Sequence, residues 1–189
     1  MYCLLYYLIC IIVVYILIIK YTQPGYYPYS PTLSFLYPNN ERQAFMVYES
    51  NIHASELNKD FFYSVQQDYF TPILSLFKRS NIKNITIEDL KDYNKYKYSV
   101  NLLQIIINRP RPYKINKNII PLSTISKSPS CPSTEAVILY KLAKDYSFKY
   151  PFIKRELYSL IDKICHVQII AGIHYPSDNL LGKKIAYYL

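Results

Sequence analysis

The sequence predicts an all-α fold, a helical bundle preceded by one N-terminal transmembrane helix. Three observations carry this expectation. Apolar residues beyond residue 60 recur at three- and four-residue spacing, as one face of a helix requires, and no segment alternates strongly with the two-residue period of a strand. Thr86, Ser133 and Ser177 stand before those periodic runs, where a side-chain oxygen caps a helix start. Met1 to Ile19 contains no charged side chain before Lys20, matching the ~20 apolar residues that cross a bilayer.

That N-terminal run has no basic n-region, and no small residues mark a cleavage site, so residues 1–20 read as an uncleaved, single-pass membrane anchor. Residues 21–40 carry Pro24, Pro28, Pro31 and Pro38 among several tyrosines, a composition that disfavours helix and suits an extended tether. The domain then occupies residues 41–189. Phe61, Val65, Tyr69, Ile73 and Leu76 mark one helix over 60–79, kinked at Pro72. Thr86 with Asp89 three residues on opens a second, continuing through Leu90, Val100 and Ile107 to Arg109-Pro110. A loop over 113–132 follows. Ser133 caps a helix to about Phe148, Pro151 opens another to about Ile173, and Ser177 caps the last.

Length and composition narrow the function classes. A chain of 189 residues holds one compact domain, and 51% hydrophobic against 19% charged residues excludes disorder. The net charge of +9 favours anionic partners such as phosphate esters or acidic lipid. No aromatic-basic motif or recognition helix supports nucleic-acid binding, and nucleic acid is not an expected partner. Cys3, Cys10, Cys131 and Cys165 show no zinc-ligand spacing, so no metal is expected and buried free thiols are.

Three short stretches carry the chemistry: Asn108-Arg109-Pro110-Arg111-Pro112, Cys131-Pro132-Ser133-Thr134-Glu135, and Gly172-Ile173-His174-Tyr175-Pro176-Ser177-Asp178. Each falls at a predicted helix end, where unpaired backbone N–H groups are available. Their order and spacing resemble the signature of the type 2 phosphatidic acid phosphatase superfamily, which includes class A acid phosphatases and vanadium haloperoxidases. That signature reads Lys, six residues, Arg-Pro; Pro-Ser-Gly-His; and Ser-Arg, five residues, His, three residues, Asp. Arg111-Pro112, Pro132-Ser133, and His174 with Asp178 fill their places in it.

The resemblance implies a helical bundle of the acid phosphatase type and hydrolysis of phosphate monoesters, soluble or lipid, through a phosphohistidine, with no cofactor. His174 would be the nucleophile and Asp178 would orient its ring. Arg111 would bind phosphate oxygens, helped by the helix start at Ser133 and Thr134. The family lysine position holds Gln104, the glycine and histidine of the second motif are Thr134 and Glu135, and the Ser-Arg pair is Val167-Gln168. Gln104 and Gln168 are thus neutral substitutes at phosphate-binding positions, while Glu135 stands where the general acid belongs. A buried Glu135 with a raised pKa would donate a proton. Arg109 and Lys97 are nearby cations, more ordinarily surface charge.

Two readings follow from these replacements: a phosphatase of reduced, acid-shifted activity, or an inactive pseudophosphatase binding a phosphorylated ligand or a protein; a basic nucleic-acid or acidic-lipid binder, resting on the net charge alone, ranks last. Deleting Met1 to Lys20 is expected to release the protein from membranes with its fold intact, because few core contacts cross a proline-rich tether. Carbonate extraction and circular dichroism of the truncated chain check this; aggregation would show the segment to be core.

Overall fold

The computed structural model describes residues 38–123 and 128–189. The predicted anchor, and the tether up to Tyr37, lie outside the described residues. Among the described residues every element is helical, and no helix is long and apolar enough to cross a membrane.

In chain order the helices are α1 (Asn40–Ile52), α2 (Glu56–Gln67), α3 (Phe70–Arg79), α4 (Ile87–Lys91), α5 (Lys97–Ile107), α6 (Pro112–Ile115), α7 (Thr134–Lys149), α8 (Lys154–Ile170) and α9 (Pro176–Tyr188). Short 3₁₀ turns, Asp92–Tyr96 and Pro151–Ile153, lead into α5 and α8. The bundle is organised around α7. Ala136 to Ala143 are buried without interruption, the pattern of a helix enclosed on all sides. It packs against α8 and α9, with α5 also against it and α2 and α3 resting on α8. Phe62, Ile73, Phe77, Leu90, Leu139, Leu157 and Ile161 fill the main core. A smaller cluster of Ala44, Val47, Tyr113, Ile119 and Tyr175 joins α1 to the functional end.

Several boundaries differ from the sequence expectation. The expected helix over 60–79 is two helices, and the break falls at Asp68 rather than at Pro72. Asp68 accepts the Phe70 N–H at 2.9 Å and the Thr71 hydroxyl at 2.8 Å, capping α3 and leaving Pro72 in its first turn, where a missing N–H costs nothing. The Thr86–Asp89 capping box forms as expected, but the helix it opens is interrupted by the 3₁₀ turn before α5. The 113–132 loop begins inside the short helix α6. Ser133 caps α7, accepting the Ala136 N–H at 3.2 Å. Ser177 does not cap α9: Pro176 takes the first helical position, Tyr175 is the N-cap, and Asp178 accepts the Tyr175 N–H at 2.9 Å. Helix α1 had no sequence expectation. Cys131 and Cys165 are buried free thiols; Cys3 and Cys10 lie outside the described residues.

Two glycines set the geometry at the functional end. Gly172 turns the chain between α8 and His174 at φ +75°, in the left-handed region. Gly182 lets α9 close on α7, since a Cβ there would lie 2.7 Å from the Ala136 Cβ and 3.0 Å from the Ser133 carbonyl oxygen. Gly182→Val is therefore expected to cost about 1–3 kcal/mol by overpacking, read as a lower denaturant midpoint with an unchanged slope.

Candidate functional site

Helices α7 and α9 bring their N-termini together, and the Ser133 N–H donates to the Asp178 carbonyl at 3.2 Å. The chain before α6 supplies the arginines. Asn108 ends α5 in the left-handed conformation (φ 48°), and Arg109-Pro110-Arg111-Pro112 then runs alongside residues 128–130. Ser130 N–H donates to the Arg109 carbonyl at 2.9 Å. These constraints place residues from three distant segments around one imidazole.

His174 is 2% exposed and stands between two carboxylates. Its Nδ1 lies 3.4 Å from Asp178 Oδ2 and its Nε2 lies 3.6 Å from Glu135 Oε2. The Asp178 approach is an ion-pair distance outside hydrogen-bond geometry, and Nδ1 has no aligned partner among the described residues. Arg111 brings a guanidinium nitrogen 3.5 Å from Nε2. It also donates to the Ile173 carbonyl at 2.9 Å, to the Ser128 carbonyl and hydroxyl at 2.9 and 3.0 Å, and to the Pro129 carbonyl at 3.4 Å. Two groups therefore compete for Nε2. Arg111 favours the neutral ring with Nε2 accepting, whereas Glu135 favours the imidazolium.

The electrostatics resolve that competition. Burial pushes the His174 pKa down and Arg111 adds to the effect, but Asp178 and Glu135 outweigh both and leave it above 6.5. Burial alone would raise Glu135, yet His174, its own backbone N–H at the start of α7 and the Arg111 charge bring it from 4.5 to about 2. This corrects the sequence expectation of a Glu135 raised by burial: the carboxyl is ionised and paired. Burial likewise opposes the charge on Asp178, and His174, Arg109 and the Tyr175 N–H outweigh it, holding its pKa below the usual value.

The other predicted residues sit around this triad in different ways. Thr134 is the first residue of α7, and Gln104 Nε2 donates to its hydroxyl at 3.1 Å and to the Pro132 carbonyl at 2.8 Å. Gln104 thus ties α5 to the start of α7. Gln168 is buried, and its backbone carbonyl accepts the N–H groups of Ile173 and His174 at 3.2 and 3.4 Å. Lys97 is exposed, as are His53 and His166. Among the described residues no cluster of His, Cys, Asp or Glu is arranged to hold a metal; the two carboxylates meet opposite edges of the His174 ring and cannot converge on one ion.

Arg109 is the correction with the largest consequence. Surface charge was its ordinary expectation, and it is 0% exposed. It donates to Asp178 Oδ1 at 2.7 Å and Ser177 Oγ at 2.5 Å, and to Asn40 and Gln43 of α1 at 2.9 and 3.3 Å. Its guanidinium carbon stacks 3.8 Å above the centre of the Tyr175 ring. The repeated Arg-Pro was the one visible signal for it; nothing in the sequence marked Asn40 or Gln43, and Tyr175 stood in the third stretch without a role.

No family model and no curated protein matches the sequence. Among solved structures the chain resembles a transmembrane PAP2-type phosphatidylglycerolphosphate phosphatase from Bacillus subtilis, with a TM-score of 0.55, covering 82% of this chain and 84% of that one at 15% identity. The fold is that of PAP2-type phosphatases.

The ion pairs give the protein a stability that depends on pH. Glu135 and Asp178 have folded pKa values below their ordinary 4.5 and 3.8, so their contribution is present above those values and lost as pH falls through the folded ones. His174 has a folded pKa above 6.5, so its contribution is full below 6.5 and lost as pH rises through the folded value. Urea midpoints measured across pH are expected to plateau between these limbs, and Glu135→Gln is expected to lower the plateau and flatten the acid limb.

Proposed function

We propose that the protein hydrolyses phosphate monoesters without a metal, through attack of His174 Nε2 on phosphorus. The observation that carries this reading is the convergence of Arg111 and the start of α7 on the Nε2 side of a histidine whose Nδ1 faces a buried carboxylate. A phosphate there meets a guanidinium, the positive end of a helix and a ring nitrogen on one side. The PAP2-type fold supports the reaction class, and a neighbour named for phosphatidylglycerolphosphate supports a lipid phosphate among the substrates. The uncharged run Met1 to Ile19 fits a membrane location for that chemistry.

In this reading the resting site, below the His174 pKa, holds an imidazolium whose Nε2–H faces an ionised Glu135. As the phosphate enters, the Nε2 proton passes to Glu135, and the neutral Nε2 forms the N–P bond while the ester P–O bond breaks. Glu135 gives that proton to the leaving oxygen. Its carboxylate then takes a proton from water, whose oxygen attacks phosphorus and breaks the P–N bond, and the proton returns to His174 as phosphate leaves. Glu135 acts as general acid by receiving a proton from His174, not through a raised pKa of its own. The productive arrangement, neutral His174 with protonated Glu135, runs against the order of the two affinities, and this keeps turnover slow.

A second reading, phosphate binding without turnover, is favoured by one observation: Gln104 at the family's lysine position is bonded to Pro132 and Thr134 and supplies no charge. Phosphate release from p-nitrophenyl phosphate by the full chain in detergent, from pH 4 to 8, separates the two. The hydrolase reading predicts release above a His174→Ala background, declining as pH rises past the His174 pKa. Arg111→Ala is expected to cost about 10²–10³-fold and Glu135→Gln about 10²–10⁴-fold. Release equal to the His174→Ala background at every pH, with inorganic phosphate still shifting the His174 NMR signal, would establish the binding reading.

A further inference from the structure

Arg109 heads the largest side chains with essentially no exposed surface, and it is not directed at the Nε2 side of His174. Its Nε donates to Asn40 Oδ1 at 2.9 Å, one terminal nitrogen reaches Asp178 and Ser177, and the other donates to Gln43 Oε1 at 3.3 Å. Ser177 donates its hydroxyl to the same Gln43 oxygen at 2.6 Å. Two of the acceptors belong to α1, a helix 66 to 69 residues earlier in the chain. Asn51 at the other end of α1 donates to the carbonyls of Ile120 and Ile170 at 3.1 and 2.8 Å. The helix is thus fastened at both ends across the back of the site.

We propose that α1 is a working part of the site: Asn40 and Gln43 hold Arg109 on Asp178, making Arg109 a positioning residue that limits how strongly the Asp178 carboxylate holds a proton on His174. The inference rests on the reading of His174 as the reacting group. Asp178 divides its oxygens between Arg109 on Oδ1 and the Tyr175 N–H on Oδ2, with His174 Nδ1 3.4 Å from Oδ2. A cation 2.7 Å away offsets part of the field that this carboxylate exerts on the imidazole, and burial keeps solvent from screening either charge.

Among the described residues, the charged and titratable groups facing His174 are Asp178 from α9, Glu135 from α7 and Arg111 from the segment before α6. Asp178 in turn faces Arg109 and the Cys131 thiol, whose pKa burial pushes up, so that it stays protonated and adds no charge. Among the described residues, Arg109 is therefore the cation that faces Asp178 directly from outside the imidazole itself. Release of its grip leaves the imidazolium held to higher pH, and the neutral Nε2 that attacks phosphorus becomes rarer.

The test is an NMR titration of the full chain in detergent, labelled at histidine, with the His174 signal assigned by its loss in His174→Asn. Arg109→Met is expected to raise the His174 pKa by about one unit, and Asn40→Ala with Gln43→Leu to raise it less, in the same direction. Lys97→Gln, at an exposed position outside the site, is the control and leaves the titration unchanged. An Asn40→Ala/Gln43→Leu protein with a lower melting temperature but an unaltered or lowered His174 pKa would overturn the proposal, since a merely structural clamp gives that result. Should Arg109→Met fail to fold, the double variant decides alone. No substrate enters the titration, so a protein silent toward p-nitrophenyl phosphate would refute the hydrolase reading and leave this measurement intact.

Discussion

A guanidinium removed from water must find an acceptor in every direction its donors point, and the placement of Arg109 imposes that demand on the whole functional end of the molecule. Asp178 answers with a carboxylate oxygen, Ser177 with a hydroxyl, and α1 with the amides of Asn40 and Gln43. Breaking a buried pair of this kind by deleting one partner typically costs about 3–5 kcal/mol, because the other charge is left uncompensated. The first helix, the turn after α5 and the first turn of α9 are consequently not free to move independently. The position of His174 follows from theirs.

The same arithmetic of charge gives the site its resting character. Arg109, Asp178, His174 and Glu135 alternate in sign along a line of contacts, and Arg111 flanks the imidazole. Each carboxylate sits in the first turn of its helix, Glu135 on α7 and Asp178 on α9, where the positive end of the helix also favours it. The helix starts that are suited to receive an anion thus carry one of their own. An incoming phosphate has to compete with Glu135 for Nε2 and Arg111, a competition that does not arise where a histidine fills that position.

The sequence made the helices with strong local signals legible: the Thr86–Asp89 capping box, the Ser133 cap of α7, and Pro151 ahead of α8. It misplaced the break between α2 and α3, because Asp68 offers a cap two residues ahead of Phe70 and a proline in the first turn needs no kink. Helix α1 was invisible in a different way, since only Ala44 and Val47 are buried along it, too few apolar positions to show a period. At the site, Arg111, Ser133, Glu135, His174 and Asp178 were found through their order along the chain. Their protonation was not, because the direction of the Glu135 shift depends on a distance to His174 that no spacing encodes. Arg109 was misjudged since an arginine next to a proline has the same appearance in sequence whether it faces solvent or a buried carboxylate.

The bond from Ser177 to Gln43 closes a loop of 134 residues, and that span bears on how the molecule comes apart. The main core of α2, α3, α7 and α8 is complete without α1 and without the first turn of α9. Contacts separated so widely in sequence carry a larger loop-closure cost than local ones and gain from the rest of the chain being gathered first. Fraying of α1 opens the Arg109 cluster while Phe62, Leu139 and Ile161 stay packed. Amide protons at Asp178 and Tyr175 therefore belong to a cooperative unit of lower opening energy than those in the middle of α7, and the functional end disassembles ahead of the bundle that carries it.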